Sequence, residues 1–296
     1  MNLRQLGEDR LLARFVSHLP LNRKVIAGAG DDCAVVDSPR ANELLLLKTD
    51  CVVEGVHFAP RTPARSVGWK AMARPLSDFA AMSGVPQFAL VTLIAAPATP
   101  VAWVNALYSG FAKVAALFDV SIVGGETSAT AGPTVVSVSV AGFAEKQRWV
   151  SRSGAKPGDE LFVTGRLGGS LGGRHLRFRP RIAEARWLTE HFSIDAMLDL
   201  SDGIGADLPR LATASGVGFE IDQGSLPRNR GCTLAQAVGD GEDYELLFAV
   251  APETSAALQA KWRKRWSLKL TRIGHLTARR QSPSTLPRGY VHFQQR

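Results

Sequence analysis

Apolar runs of β type alternate with runs of helical spacing along this chain, and one polar segment divides the series in two. Residues Leu44–Leu47 and those after them read as a strand ending near Asp50. The stretch from Ala64 to Ser83 has helical spacing, with Trp69, Met72 and Met82 as core positions. "QFALVTLIAA" reads as a buried strand, Val101 to Phe118 as a second helix, and "VSIVGG" as a short strand ending in paired glycines. "TVVSVSVAGFA" alternates apolar and small polar residues, as a strand with one wet face does. "EKQRWVSRSGAKPGDE" then interrupts the pattern with charge, Gly and Pro, and a new strand begins at "LFVTG". That break predicts two domains, 1–144 and 145–296.

The second half mixes elements again. Helices are expected at "RPRIAEARWLTEHF", "IGADLPRLATASG" and "ETSAALQAKWRKRW", and strands at "VGFEID", "YELLFAV" and "LKLTRIG". The fold class is therefore α/β (α+β), with layered sheets and helices.

Composition narrows the function less than the pattern narrows the fold. Hydrophobic residues make up 45% and charged residues 21%, a globular balance. The net charge of +8 favours anionic partners without choosing among nucleic acid, nucleotides and phosphorylated metabolites. The cysteines, Cys33, Cys51 and Cys232, form no Cys-x-x-Cys pair, which argues against a zinc knuckle or disulfide framework and fits a reducing cytoplasm. Cys33 and Cys51 read as small buried hydrophobes. No stretch is expected to span a membrane. The N-terminal "MNLRQLGEDRLLARFVSHLP" reads as an amphipathic helix rather than a signal peptide.

The acids carry the chemical signal. "VIAGAGDDCAVV" looks like a phosphate loop but runs into Asp31-Asp32, where such a loop would want donors. Asp50 stands at an expected strand end, Asp78 inside an apolar helical run, Glu126 after a strand and two glycines, and Asp199, Asp202 and Asp207 in "LDLSDGIGAD". Acids at strand ends commonly face a cleft. A carboxylate in a packed helix face is costly unless paired or metal-bound. Converging acids repel, by roughly 4 kcal/mol per pair at about 4 Å and an effective dielectric of 20. Cations must offset that. Mg²⁺ suits an all-oxygen set that meets substrate phosphates, and the His/Cys set that zinc wants is absent.

In order along the chain, "GAGDDCAVV", "TDCVVEGVHF", "LSDFAAMSG", "GGETS", "SRSGAKPGD", "LSDGIGADL" and "GEDYELLF" resemble the thiamine-monophosphate kinase family, within the aminoimidazole-ribonucleotide synthetase-like superfamily of ATP-using enzymes. The resemblance extends from about Gly7 to "GYVHF". It implies a two-domain fold whose N-terminal domain shares a barrel across a homodimer, with ATP between the domains and no Walker loop. It implies ATP and thiamine monophosphate as substrates, several Mg²⁺ ions, and direct in-line transfer giving thiamine diphosphate. The matching metal positions are Asp32, Thr49, Asp50, Asp78, Asp199 and Asp202, with Glu126 standing where the family has another. Gly125, Glu126, Arg152 and Ser201 match ATP-contacting positions, and His57, Glu242 and Tyr290 match positions on thiamine phosphate. The acceptor is itself a phosphate, so no general base is assigned. Transfer then rests on positioning and charge neutralisation, with Arg152 as a phosphate clamp. A carboxylate at Glu242 and a ring at Tyr290 suit a cationic aromatic thiazolium.

The chain departs from the family pattern in places. Glu126 replaces Asp, Lys48 stands where a small metal-contacting residue is common, and Arg74-Pro75 precedes Leu76-Ser77-Asp78, with Pro75 expected to start or kink the helix. The stretch from Leu226 to Gly241, in the domain that shapes the acceptor pocket, looks short, as does the stretch after "GRLGGSLGGRHL". A superfamily enzyme with a different phosphorylated or carboxylated acceptor therefore stays open. A nucleic-acid binder is the second alternative, from "KWRKRW" and "RHLRFRPR". Against it, the first run also reads as the exposed end of a helix, and unmetallated acids repel a polyanion. A non-catalytic scaffold is disfavoured because neutral packing would be the simpler way to fill those positions.

Overall fold

The computed structural model describes residues 2–16, 18–279, 286, 289 and 290. Among them, strands β1 (Val25–Ala27), β2 (Ala34–Asp37), β3 (Glu43–Val53), β4 (Val85–Ala95), β5 (Ser121–Ala129) and β6 (Val135–Glu145) form one sheet in the order β1-β2-β3-β6-β4-β5. Its pairs are antiparallel except β4 with β5. Helices α1 (Leu3–Leu6) and α2 (Glu8–Val16) precede it; α3 (Ala64–Ala81) and α4 (Val101–Phe118) link its strands. Strands β7 (Glu160–Thr164), β8 (Ala196–Asp199), β9 (Gly218–Ile221), β10 (Leu246–Val250) and β11 (Leu270–Thr277) form an antiparallel second sheet, ordered β8-β10-β7-β11-β9. Helices α5 (Ile182–His191), α6 (Ile204–Ser215), α7 (Leu234–Gly239) and α8 (Pro252–Arg265) complete the second half. The α+β reading of two sheet-based halves is what the chain forms.

The core follows the alternation. On β3, Leu44, Leu46 and Val52 are buried while Leu47, Thr49 and Cys51 face outward, because successive strand side chains point to opposite faces. On β7, Phe162 joins a core that runs from α3 to Trp262, whereas Leu161 and Val163 join a second core with Leu208 and Leu211 of α6. The halves thus share one apolar core, with α3 along the join.

Several expectations need correcting. Strand β3 does not end near Asp50; its ladder with β6 runs unbroken to Val53↔Val135, so Asp50 is internal. Glu126 likewise lies inside β5, paired in register with Thr92, rather than after it. Pro75 does not start a helix; α3 passes through it, and Pro75 itself is buried. The amphipathic N-terminal stretch is not one helix. It breaks at Gly7, whose φ of 76° is left-handed, and leaves Leu3, Leu12 and Phe15 exposed. Cys51 is exposed on the outer face of β3. Helix α4 does have the length and hydropathy of a membrane span, at a mean of 1.3 over 18 residues. Here it packs on α3 through buried Leu107, Phe111 and Val114.

That α3–α4 packing depends on two glycines. A Cβ at Gly68 would lie 2.1 Å from the Leu107 carbonyl oxygen, and one at Gly110 would lie 2.2 Å from that of Arg65. Both obstacles are backbone, so the helices must separate. Gly110→Ala is expected to cost about 1–3 kcal/mol through overpacking. Equilibrium urea unfolding checks this, and an unchanged midpoint would mean the helices are not seated this closely.

Candidate active site

Four segments bring carboxylates together at the join. Asp32 lies in the turn between β1 and β2, Asp50 on the inner face of β3, Asp78 near the end of α3, and Asp199 at the end of β8. Asp32, Asp78 and Asp199 are buried, and each offers an oxygen within 4.8 Å of the others. Asp199 accepts the Ser77 hydroxyl at 2.5 Å. Burial, and then the charge of Asp32, push the Asp199 carboxyl up to about 7. Burial also holds Asp78 well above the ordinary range, against the opposing pull of Lys48. For Asp50, burial pushes upward but Lys48 and Arg74 outweigh it, so its carboxyl stays below the usual range. Buried, hard, all-oxygen donors that resist ionising together form a set that suits Mg²⁺.

Fixed cations surround these acids. Arg152 grips Asp32 with two bonds, Nη2 to Oδ1 at 2.6 Å and Nε to Oδ2 at 3.1 Å. The Arg152 main-chain N–H donates to Asp31, whose carboxyl is raised to about 6 by burial and by Asp32. Lys48 Nζ lies 2.7 Å from Asp78 Oδ1. Arg74 donates to the Cys51 carbonyl at 2.8 Å and lies 3.9 Å from Asp50.

Beside the acids is a cavity of about 700 Å³, whose lining includes His57, Arg74, Ser201, Asp202, Glu242 and Tyr290. Its floor is a strained loop. Glu242 and Tyr244 both have left-handed φ, 55° and 52°, which non-glycine residues adopt only when their surroundings enforce it. Glu242 N–H donates to the Ser201 carbonyl at 2.7 Å and Tyr244 N–H to the Leu200 carbonyl at 2.8 Å. Tyr244 is stacked on Phe178 at 3.8 Å, and Asp243, between Glu242 and Tyr244 in the chain, accepts from Gly168, Ser170 and Arg174. Tyr290 is tied in through its N–H to the Asp202 carbonyl at 2.9 Å. His57 Nδ1 accepts from the Val53 N–H, which places the ring proton on Nε2.

The structure thus gathers Asp32, Asp50, Asp78, Asp199 and Arg152 in one cluster, and His57, Ser201, Asp202, Glu242 and Tyr290 around one cavity. Asp202 is bonded to Arg210 at 2.5 Å. Thr49 turns the other way, accepting from Ser139 on the outer face of β3. Gly125 and Glu126 lie on the exposed edge strand β5, where Glu126 accepts from the Thr127 N–H. A Cβ at Gly125 would meet the Val91 carbonyl at 1.8 Å, so glycine is needed for the β4–β5 ladder itself.

Lys70 was not anticipated. Fully buried, it donates to both Glu242 oxygens at 2.6 and 2.7 Å and to the His57 carbonyl at 2.6 Å. Burial pulls its ammonium down to about 8, with the Glu242 charge resisting. A signal was present: residues 70, 74, 77 and 78 share one face of α3, a polar stripe along the part of the helix that is otherwise apolar from Val67 onward. The two basic runs are placed differently. Arg174 and Arg181 pair with Asp243 and Glu245, while Trp262 buries α8 and leaves Arg263, Lys264 and Arg265 in solvent.

Comparison with known proteins is consistent with this geometry. Residues 30–144 match the AIR synthase related protein N-terminal domain, and residues 160–285 the corresponding C-terminal domain. The thiamine-monophosphate kinase of Rhodopirellula baltica is 39% identical over 297 residues, covering 91% of this chain and 92% of the relative. That of Salmonella typhimurium is 33% identical, covering 97% and 98%. The solved structure of AaThiL complexed with AMPPCP and TMP superposes with a TM-score of 0.84 at 31% identity, covering 99% of each chain.

Proposed function

We infer that this chain, which belongs to the thiamine-monophosphate kinase family of AIR synthase related proteins, transfers the γ-phosphoryl group of ATP to thiamine monophosphate, giving ADP and thiamine diphosphate. The observation that carries the reading is the buried triad of Asp32, Asp78 and Asp199 beside a cavity lined by Glu242 and Tyr290. Anionic donor and anionic acceptor meet there, and the acceptor phosphate needs no base.

Asp32, Asp50, Asp78 and Asp199 hold Mg²⁺ in this proposal, with Asp202 and Glu126 as outlying members and Thr49 offering only its main chain. Mg²⁺, when bound, neutralises the carboxylates and the phosphate oxygens that meet them. Arg152 aligns Asp32 and presents its remaining donors to phosphate. Ser201, Gly125 and Glu126 contact the nucleotide. His57 donates from Nε2 to the acceptor phosphate, while Glu242 and Tyr290 take the thiazolium. Two copies pair across the outer face of the first sheet, where Leu47, Phe88, Leu90 and Val123 are exposed. The three free cysteines suit a cytoplasmic setting.

The test is an assay of purified protein with ATP, Mg²⁺ and thiamine monophosphate, following thiamine diphosphate after oxidation to its fluorescent form. Product is expected only when all three are present, and the protein should sediment at twice the chain mass. Magnesium-dependent ATP binding without product would move the acceptor to another phosphorylated or carboxylated metabolite.

A further inference from the structure

We propose that Lys48 is a built-in cation that takes the place of a divalent ion on the Asp50–Asp78 side of the acid cluster, so that this chain binds one metal ion fewer than its carboxylates would otherwise hold. The inference rests on reading that cluster as a metal centre.

Lys48 and Asp50 are two residues apart on β3 and therefore share its inner face. That face turns the Lys48 ammonium into the cluster, 2.7 Å from Asp78 Oδ1. The Lys48 side chain is 21% exposed and that of Asp78 10% exposed, so water does little of the solvating. An ammonium offers one charge and three donors on a flexible stem, and it can occupy a place between carboxylates without an octahedral oxygen shell.

Charge balance points the same way. Four carboxylates, Asp32, Asp50, Asp78 and Asp199, meet three fixed cations, Lys48, Arg74 and Arg152, in the same shell. With all four ionised, as they would be around a metal ion, their formal sum is −4 + 3 = −1. Such a site attracts few dications by itself, and further ones come with the phosphates of the nucleotide. Of the three cations, Lys48 is the one bonded directly to a member of the triad that no arginine holds. Arg152 is committed to Asp32, and Arg74 to the Cys51 carbonyl and Asp50.

The experiment is a count of bound Mn²⁺, by the loss of the free-ion electron paramagnetic resonance signal, on nucleotide-free full-length protein. Wild type is compared with Lys48→Ser and Lys48→Arg. Lys48→Ser is expected to bind one more ion per chain than wild type, and Lys48→Arg the same number as wild type. Equal counts in wild type and Lys48→Ser overturn the proposal while leaving the metal centre standing. No Mn²⁺ on any of the three proteins overturns the metal reading and this inference with it. Thermal unfolding covers the case in which Lys48→Ser is too unstable to titrate. Mn²⁺ should then raise its melting temperature more than it raises that of wild type, and an equal or smaller rise counts against the proposal.

Discussion

Asp199→Asn is expected to lower turnover by roughly 10³-fold while the protein remains folded. The asparagine is nearly isosteric, and its carbonyl oxygen can still accept the Ser77 hydroxyl that Asp199 accepts at 2.5 Å. What is lost is a carboxylate within 4.8 Å of Asp32 and Asp78, which in the proposed reaction helps draw a cation to the phosphates. Steady-state formation of thiamine diphosphate measures the loss. Turnover within tenfold of wild type would remove Asp199 from the reacting centre.

The same substitution has a signature in the protein without metal. The folded Asp199 carboxyl titrates at about 7, above its ordinary value of 3.8. Between those values the folded chain holds a proton that the unfolded chain releases, so stability falls as pH rises through that window. Asp78 and Asp207, also pushed up by burial, act in the same direction. Metal-free wild type should therefore melt higher at about pH 5 than at pH 8. Asp199→Asn should flatten part of that slope, and added Mg²⁺ should reverse it in wild type. A stability profile that rises with pH in the absence of metal would contradict the packing of the triad.

Legibility in the sequence followed the physics of each element. Helix α4 matched its expected span, Val101–Phe118, because long apolar periodicity and the proline before it act locally. The end of β3 is not legible in the sequence because a strand stops where its partner stops, and the partner β6 is far along the chain. Strands β1 and β8 and helix α7 leave little trace in the sequence, since each is short and stabilised by neighbours rather than by propensity. At the site, the individual acids could be picked out, but which of them converge is a tertiary property. One part was available from periodicity alone. Thr49 and Asp50 are adjacent on a strand, so their side chains cannot reach the same centre.

Lys70 yields the second large effect, because it joins the two walls of the cavity proposed for the acceptor. Its ammonium bonds the Glu242 carboxylate, on the loop from the second half, and the His57 carbonyl, on the loop from the first. Removing one partner of a buried ion pair leaves the other uncompensated, so Lys70→Met should cost about 3–5 kcal/mol in unfolding free energy. Lys70→Met/Glu242→Gln should recover most of that, since an amide in place of the carboxylate leaves no stranded charge. Acceptor binding should behave differently. With nothing to hold Glu242 and the His57 loop in register, KM for thiamine monophosphate should rise at least about tenfold in both variants, while KM for ATP should change less, because the proposed phosphate clamp Arg152 is held by Asp32 and not by Lys70. Stability and acceptor KM recovering together in the double variant would reduce Lys70 to a packing role. A shared rise in both KM values would mean that the two substrates do not occupy separate walls of the cleft.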